Sequence, residues 1–331
     1  QYFSYFRRGM GTWEMRLVAG AVGVLVVVLL YRGIQAVARL TVVLWVGMLA
    51  TVAWIIVAGF LHFDARRAFD FPPHAFAISP AFLTGLGAAT LIAMYNFLGY
   101  YGICFVGGEV RQPERVMPRS IVLSVLLVGA IYALMTLAIM AVVPWREALQ
   151  SKFVAARFME AIYGPWAGGA VTVLILWSAV ASVFALLLAY SRVPYAAALD
   201  GYFWKPFARL HTKGDFPYVS LLVIGGLAIA AGMLNLDWVV SALLTARILI
   251  QFVGQIAAVE VLRKTRPDVP RPFRIWLYPL PSVLALIGWM YVFTTSGWTF
   301  VLCGLGVLAS GVAAYAVWRR MTAGGAARSE L

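Results

Sequence analysis

Long apolar runs alternate with short charged punctuation along this chain. Nine runs stand out: Leu17–Tyr31, Leu40–Leu61, Pro80–Phe105, Ile121–Val143, Trp166–Tyr190, Val219–Met233, Trp238–Leu262, Ile275–Phe293 and Phe300–Trp318. They exceed the roughly ten-residue strands of a membrane barrel and approach the ~20 residues a helix needs to cross a bilayer. The pattern therefore predicts about nine membrane-spanning helices in a single transmembrane domain. Ser79-Pro80 supplies the third run with an N-cap and a proline at the first helical position. That run differs from the others: Asn96, Gly99 and Gly102 interrupt it, Gly107-Gly108 follow, and a charged stretch with Pro113 and Pro118 comes next. The spacing predicts a helix broken in mid-span and then a charged, proline-punctuated hairpin. Glycine in a span leaves close packing, a kink and an unwound segment all open.

Composition narrows the class. With 63% hydrophobic and 12% charged residues and a mean hydropathy of +0.88, the chain lacks the polar surface of a soluble domain. It reads as an all-α polytopic membrane protein with the lipid bilayer as partner. The net charge of +13 raises nucleic acid as a partner, but the basic residues are spread through short loops, and topology explains them. The loops after the odd-numbered runs, together with the tail, carry seventeen Lys and Arg, among them Arg32, Arg115, Lys213, Pro272-flanking Arg271, Arg319, Arg320 and Arg328. The N-terminal segment and the remaining loops carry eight, including Arg8 and Arg157, and Arg247 alone lies inside a run. The positive-inside bias places the C-terminus in the cytoplasm and the N-terminus outside. An external N-terminus opening on Gln1, with no targeting segment, reads as a fragment lacking preceding material. Cys104 and Cys303 both lie in apolar runs and read as small hydrophobes rather than a disulfide.

Three loops carry a family resemblance. Glu109-Val-Arg111-Gln112-Pro113-Glu114-Arg115-Val-Met-Pro118-Arg119-Ser120 resembles the cytoplasmic signature after the sixth span of amino acid–polyamine–organocation (APC) permeases, with Gln112 in place of the usual Asn. Ser191-Arg192 through Asp200-Gly201 and Pro206 to His211 is similar to the family's loop after span eight. Leu262 to Arg274 is similar to its loop after span ten. The order and spacing match across the whole chain, so the nine runs correspond to the family's spans four to twelve.

The resemblance implies a LeuT-like inverted-repeat transporter fold, incomplete at the N-terminus, with residues 80–262 as the second five-helix repeat. Residues 263–331 then hold a cytoplasmic loop, two C-terminal helices and a short tail. It implies secondary transport of amino acids by alternating access in an integral membrane protein of a bacterial inner membrane, driven by a proton, sodium or a counter-substrate. The broken span would receive the substrate α-ammonium on the carbonyls of Tyr95, Asn96 and Leu98, with Gly99 making the turn and Tyr101 and Gly102 completing the break. Tyr95 falls where the family places an aromatic gate, with interfacial or core packing as the alternative reason for a tyrosine there. Two departures are visible. The family's first broken span has no counterpart here, and Leu44 stands where many relatives carry a lysine that substitutes for a coupling sodium.

Other candidates arise from the residues themselves. Arg247, Gln251 and Gln255 recur every four positions and should share one helix face. An arginine in mid-bilayer costs roughly 3 kcal/mol and faces protein or water, either as a substrate or ion contact or as a structural tie. Ser178 and Ser182, also four apart, either line a cavity or bond the carbonyl one turn back. His62, His74 and His211 are too scattered for a metal site. Trp166, Trp177, Trp204, Trp238, Trp276 and Trp318 are expected mostly at span ends, in the interfacial belt. No Ser-His pair, aspartate pair or zinc ligand set supports an intramembrane enzyme, and no cofactor is implied. The alternatives to transport are a non-transporting amino acid sensor, for which only the short tail from Met321 is available as an output, and a fragment without function.

Overall fold

Most of the chain is helical, and no strand occurs among the described residues. The computed structural model describes residues 2–326 apart from 8, 10, 32, 33, 106, 213, 234, 235 and 272, and omits the side chains of residues 34–36, 109, 236–239 and 318–326. Arg8, Arg32, Lys213, Pro272 and Arg328, and the side chains of Glu109, Trp238, Trp318, Arg319 and Arg320, thus lie outside the described residues. The helices of ten or more residues are α1 (Thr12–Leu30), α2 (Ile34–Leu61), α3 (Pro80–Phe97), α4 (Pro113–Met140), α5 (Val154–Tyr163), α6 (Pro165–Tyr190), α7 (Tyr218–Ala231), α8 (Leu236–Arg247), α9 (Gly254–Thr265), α10 (Leu280–Thr295) and α11 (Trp298–Ala326).

Every apolar run has its helix. Seven stretches are long and apolar enough to cross a membrane: Thr12–Leu30, Val37–Leu61, Pro80–Phe97, Pro113–Met140, Pro165–Leu199, Val240–Thr265 and Trp298–Val317. The other two, α7 and α10, are apolar but have 14 and 16 residues. At 1.5 Å per residue they extend about 21 and 24 Å, short of a ~30 Å hydrocarbon core. The surface is the inverse of a soluble protein's: Val42, Val43, Leu123, Leu126, Leu305 and Val312 are all exposed. Such a surface needs lipid as its solvent, and helices satisfy their own backbone groups within it.

Local rules decide where the helices begin. Ser79 Oγ accepts from the Phe82 N–H at 3.1 Å and Pro80 occupies the first turn of α3, as the sequence predicts. The charged hairpin expected at 109–120 is only partly a hairpin. After a 3₁₀ turn at Gly107–Glu109, Gln112 takes φ +51° and α4 starts at Pro113, well before Ile121. Pro113 at the helix start and Glu114 in the first turn both favour initiation. Pro118 then lies inside α4, one turn in, where the single hydrogen bond it forfeits involves the Glu114 carbonyl near the helix end. A segment that reads as a loop by charge is therefore helical.

The chain forms two compact units, residues Gln1–Ala75 with Gly99–Leu234 and residues Phe76–Leu98 with Asn235–Leu331. In the first, α2 packs against α4 and α6 at points where glycine removes the side chain. A Cβ on Gly59 would stand 2.5 Å from the Ala138 Cβ and 2.8 Å from its carbonyl oxygen, and one on Gly47 would stand 2.3 Å from the Trp177 indole nitrogen. Such close approach is how membrane helices gain dispersion contact when lipid is as apolar as they are. One core cluster joins α1, α2, α6 and α7 through Val26, Leu30, Val37, Leu44, Phe184 and Leu221. Another joins α2, α6 and the amphipathic α5, which buries Phe158 and Met159 completely. On its outer face Arg157 pairs with Glu147 at 2.8 Å; that bond holds the guanidinium pKa above its ordinary value. By charge alone this stretch reads as a loop.

The second unit holds α3 and α8–α11. Gly87 admits Thr295 against α3, where an added Cβ would be 2.0 Å from its hydroxyl, and the Tyr291 hydroxyl donates to the Leu83 carbonyl. Between α8 and α9 the helix widens into a π segment, Ile248–Val253, on which the Phe252 ring stacks on Trp289 with centroids 4.2 Å apart.

Candidate functional site

The interruption in the third run is a true helix break. Helix α3 ends at Phe97; Leu98 is extended at φ −66°, ψ 141°, Gly99 takes φ +116°, and a short helix resumes at Gly102–Phe105. Only glycine adopts that φ without strain, so Gly99 is the residue on which the turn depends. No atom lies within 4 Å of where its Cβ would be, and conformation alone fixes the choice. Two corrections to the sequence expectation follow. Asn96 does not interrupt the helix but lies in its last turn. The break itself is Leu98–Tyr101, where the Gly102 N–H bonds the Gly99 carbonyl at 2.8 Å and the Cys104 N–H bonds that of Tyr101 at 2.9 Å.

The carbonyls named from the sequence differ in state. That of Tyr95 accepts from the Leu98 N–H at 3.2 Å, whereas no described group donates to those of Asn96 or Leu98. The Tyr95 side chain is 53% exposed. Tyr101 is buried instead, its hydroxyl 2.9 Å from that of Tyr190 on α6, and Phe105 packs on the same Tyr190 ring. An aromatic tie thus anchors the far side of the break to α6. Ser178 and Ser182 donate to the carbonyls of Leu174 and Ser178, both at 2.9 Å. Each is the one-turn-back bond that the sequence allows as their structural use.

Trp177 lies in the middle of α6, away from the span ends, and its indole N–H donates to the Leu44 carbonyl at 3.3 Å. The Leu44 side chain is packed in the first core cluster. By contrast, Trp166, Trp204 and Trp276 are well exposed near helix ends, as an interfacial belt requires.

Arg247 and Gln251 are half-buried and Gln255 is exposed. Gln251 lies inside the π segment Ile248–Val253, which separates Arg247 from Gln255. Of the ten site residues, Tyr95, Asn96, Leu98, Arg247 and Gln251 belong to the second unit. Gly99, Tyr101, Gly102, Ser178 and Ser182 belong to the first, and the chain passes between units at the break itself. Among the described residues no group of His, Cys, Asp and Glu could hold a metal, and both cysteines are free.

Residues 1–322 match the amino acid permease family. The chain belongs to that family. The APC resemblance read from the three loops is thereby confirmed, and the family is one of transporters rather than enzymes. The chain is similar to the branched-chain amino acid permease BcaP of Bacillus subtilis, 22% identical over 94% of this chain and 65% of the relative. It is also similar to cationic amino acid transporter 4 of Mus musculus, 28% identical over 67% of this chain and 34% of the relative. With the cystine/glutamate transporter of Homo sapiens it shares 29% identity over 80% of its length and 52% of the relative. It therefore spans between about a third and two thirds of the length of these relatives. Family membership and the seven crossing helices together make it part of an integral membrane protein.

Proposed function

We propose that the protein, in the form its host makes, transports an amino acid by alternating access, and that this chain supplies the broken helix that receives the substrate α-ammonium. The observation that carries the reading is the break at Leu98–Tyr101, with Gly99 in a glycine-only conformation and two carbonyls, on Asn96 and Leu98, that no described group occupies. Carbonyls at the C-terminal end of a half-helix carry the negative end of its dipole and suit an ammonium. The relatives support the same division of labour. They are named for branched-chain, cationic and cystine/glutamate substrates, which share only the amino acid main-chain groups. Backbone recognition explains what is common to them, and side chains such as Tyr95, Arg247 and Gln251 remain to set preference. Residues 80–262 serve in this reading as the second inverted repeat, in a bacterial inner membrane with the C-terminus in the cytoplasm. A proton, sodium or a counter-substrate provides the coupling.

The test is uptake of a radiolabelled amino acid panel into proteoliposomes. Gly99→Ala and Gly99→Leu are both expected to abolish uptake, because either must leave φ +116° at about 1–3 kcal/mol. Equal uptake by Gly99→Ala and the unmodified protein would remove the break from the site.

A further inference from the structure

A second feature lies outside the break. The loop after α9 folds around Arg271, whose guanidinium donates to four carbonyls: Leu262 at 3.1 Å, Arg266 at 2.7 Å, Pro267 at 3.2 Å and Val269 at 3.1 Å. Two of those carbonyls belong to the end of α9 and the residue after it, so Arg271 neutralises the negative end of the helix dipole and fixes the loop's curvature. The folded loop encloses an open cavity of about 560 Å³, lined on its polar side by Arg263, Asp268, Arg271 and Arg274, a size usual for small-molecule sites of ~300–1,000 Å³.

The charges around this cavity are unbalanced. Arg271 is committed to carbonyls. Arg263 stands over Tyr278, its guanidinium carbon 3.6 Å from the ring centroid, and a guanidinium over a ring face can still offer its N–H edge for in-plane bonds. Glu260, the nearest carboxylate on α9, is taken by Lys264 at 3.0 Å and by the Tyr278 hydroxyl, whose pKa that bond raises. Asp268 also lines the cavity but makes no ion pair with Arg263 or Arg274 among the described residues. Two guanidinium edges against one carboxylate leave a net positive concavity, and planar guanidinium forks match the oxygens of a phosphate.

Position adds a second argument. The cavity begins where the crossing stretch Val240–Thr265 ends and closes just before α10. The same loop, up to α10, carries Phe273, Trp276 and Leu277, exposed at 47%, 80% and 79%. Exposed Trp beside basic residues at the end of a span is the arrangement of the headgroup layer.

We propose that this cavity is a phosphate-binding site, with Arg263 and Arg274 as the ligands and Arg271 as the frame that holds them. An anionic phospholipid headgroup and a free phosphate share the chemistry, and the test separates them. The full chain in detergent is titrated with phosphatidylglycerol, phosphatidylcholine and inorganic phosphate and read by native mass spectrometry. The unmodified chain, Arg263→Gln/Arg274→Gln and Arg266→Gln are compared. Arg266 lies outside the cavity lining, and Arg266→Gln is the single-charge control, matched in charge by Arg274→Gln alone. The expected result is one tightly held phosphatidylglycerol preferred over phosphatidylcholine, weakened about thirtyfold in the double variant at roughly fivefold per lost charge, and unchanged in Arg266→Gln. Phosphate binding that the double variant loses, without a lipid preference, supports the site with a soluble ligand. Equal binding by all three proteins, or equal loss in both variants, overturns the proposal. If the double variant fails to fold, Arg274→Gln alone, which removes an exposed side chain without a partner among the described residues, carries the same comparison.

Discussion

At the scale of single residues, the helix crossings depend on what is absent. Gly59 lies against the backbone of Ala138, so a valine there has no flexible neighbour to displace. Gly59→Val is expected to cost about 1–3 kcal/mol of overpacking, read as a fall in the thermal midpoint of the detergent-solubilised chain. The same substitution at Gly85, where no atom lies within 4 Å, should leave that midpoint nearly unchanged. Leu44 is the complementary case. The sequence resemblance leads to a lysine being expected at this position, and the Leu44 side chain packs with Val26, Leu30 and Phe184 in an apolar cluster. Leu44→Lys should therefore destabilise this protein by about 3 kcal/mol. A variant as stable as the parent would show that the cluster opens to water or to an ion.

At the scale of elements, the π segment shows how a helix takes up one extra residue. Arg247 and Gln251 precede and occupy Ile248–Val253, and Phe252 in the same segment stacks on Trp289. Deleting the exposed Ile250 should let the stretch revert to α-helix with the helices on either side nearly in phase, because a π-helix turns less per residue than an α-helix. The expected outcome is strain at the Phe252–Trp289 stack, read as a lower thermal midpoint, with reduced uptake in proteoliposomes. Retained stability and uptake would mean that the widened turn has no task of its own. The break after α3 is the element that changes direction: there a single φ of +116° at Gly99 takes the chain from one compact unit into the other.

At the scale of the whole molecule, orientation is the property that charge should control. Lys264 follows an odd-numbered run and Arg157 lies on the opposite set of loops, so a membrane-impermeant maleimide should label Lys264→Cys only from the cytoplasmic side and Arg157→Cys only from the outside. Cys104 and Cys303 are replaced by serine in that experiment. Labelling of both from one side would overturn the positive-inside reading.

The sequence by itself determined the class, the number of apolar helices and the family. Each of these is written locally: run length against bilayer thickness, a proline after an N-cap, charged motifs at fixed spacing. Gly99 was legible for the same reason, since a requirement for positive φ rests on one residue. The tertiary structure alone decided which groups meet. It placed Tyr101 on Tyr190, Leu44 under Trp177, and both serines on their own helix. It also set a π segment between Arg247 and Gln255. Spacing along a chain predicts a face only while the helix keeps 3.6 residues per turn, and a π segment or a break changes that period without any mark in hydropathy. Arg271 shows the same limit: charge counting assigns it to a cytoplasmic surface, but only the folded loop reveals that four carbonyls surround it and that the cavity's free charge resides on Arg263 and Arg274.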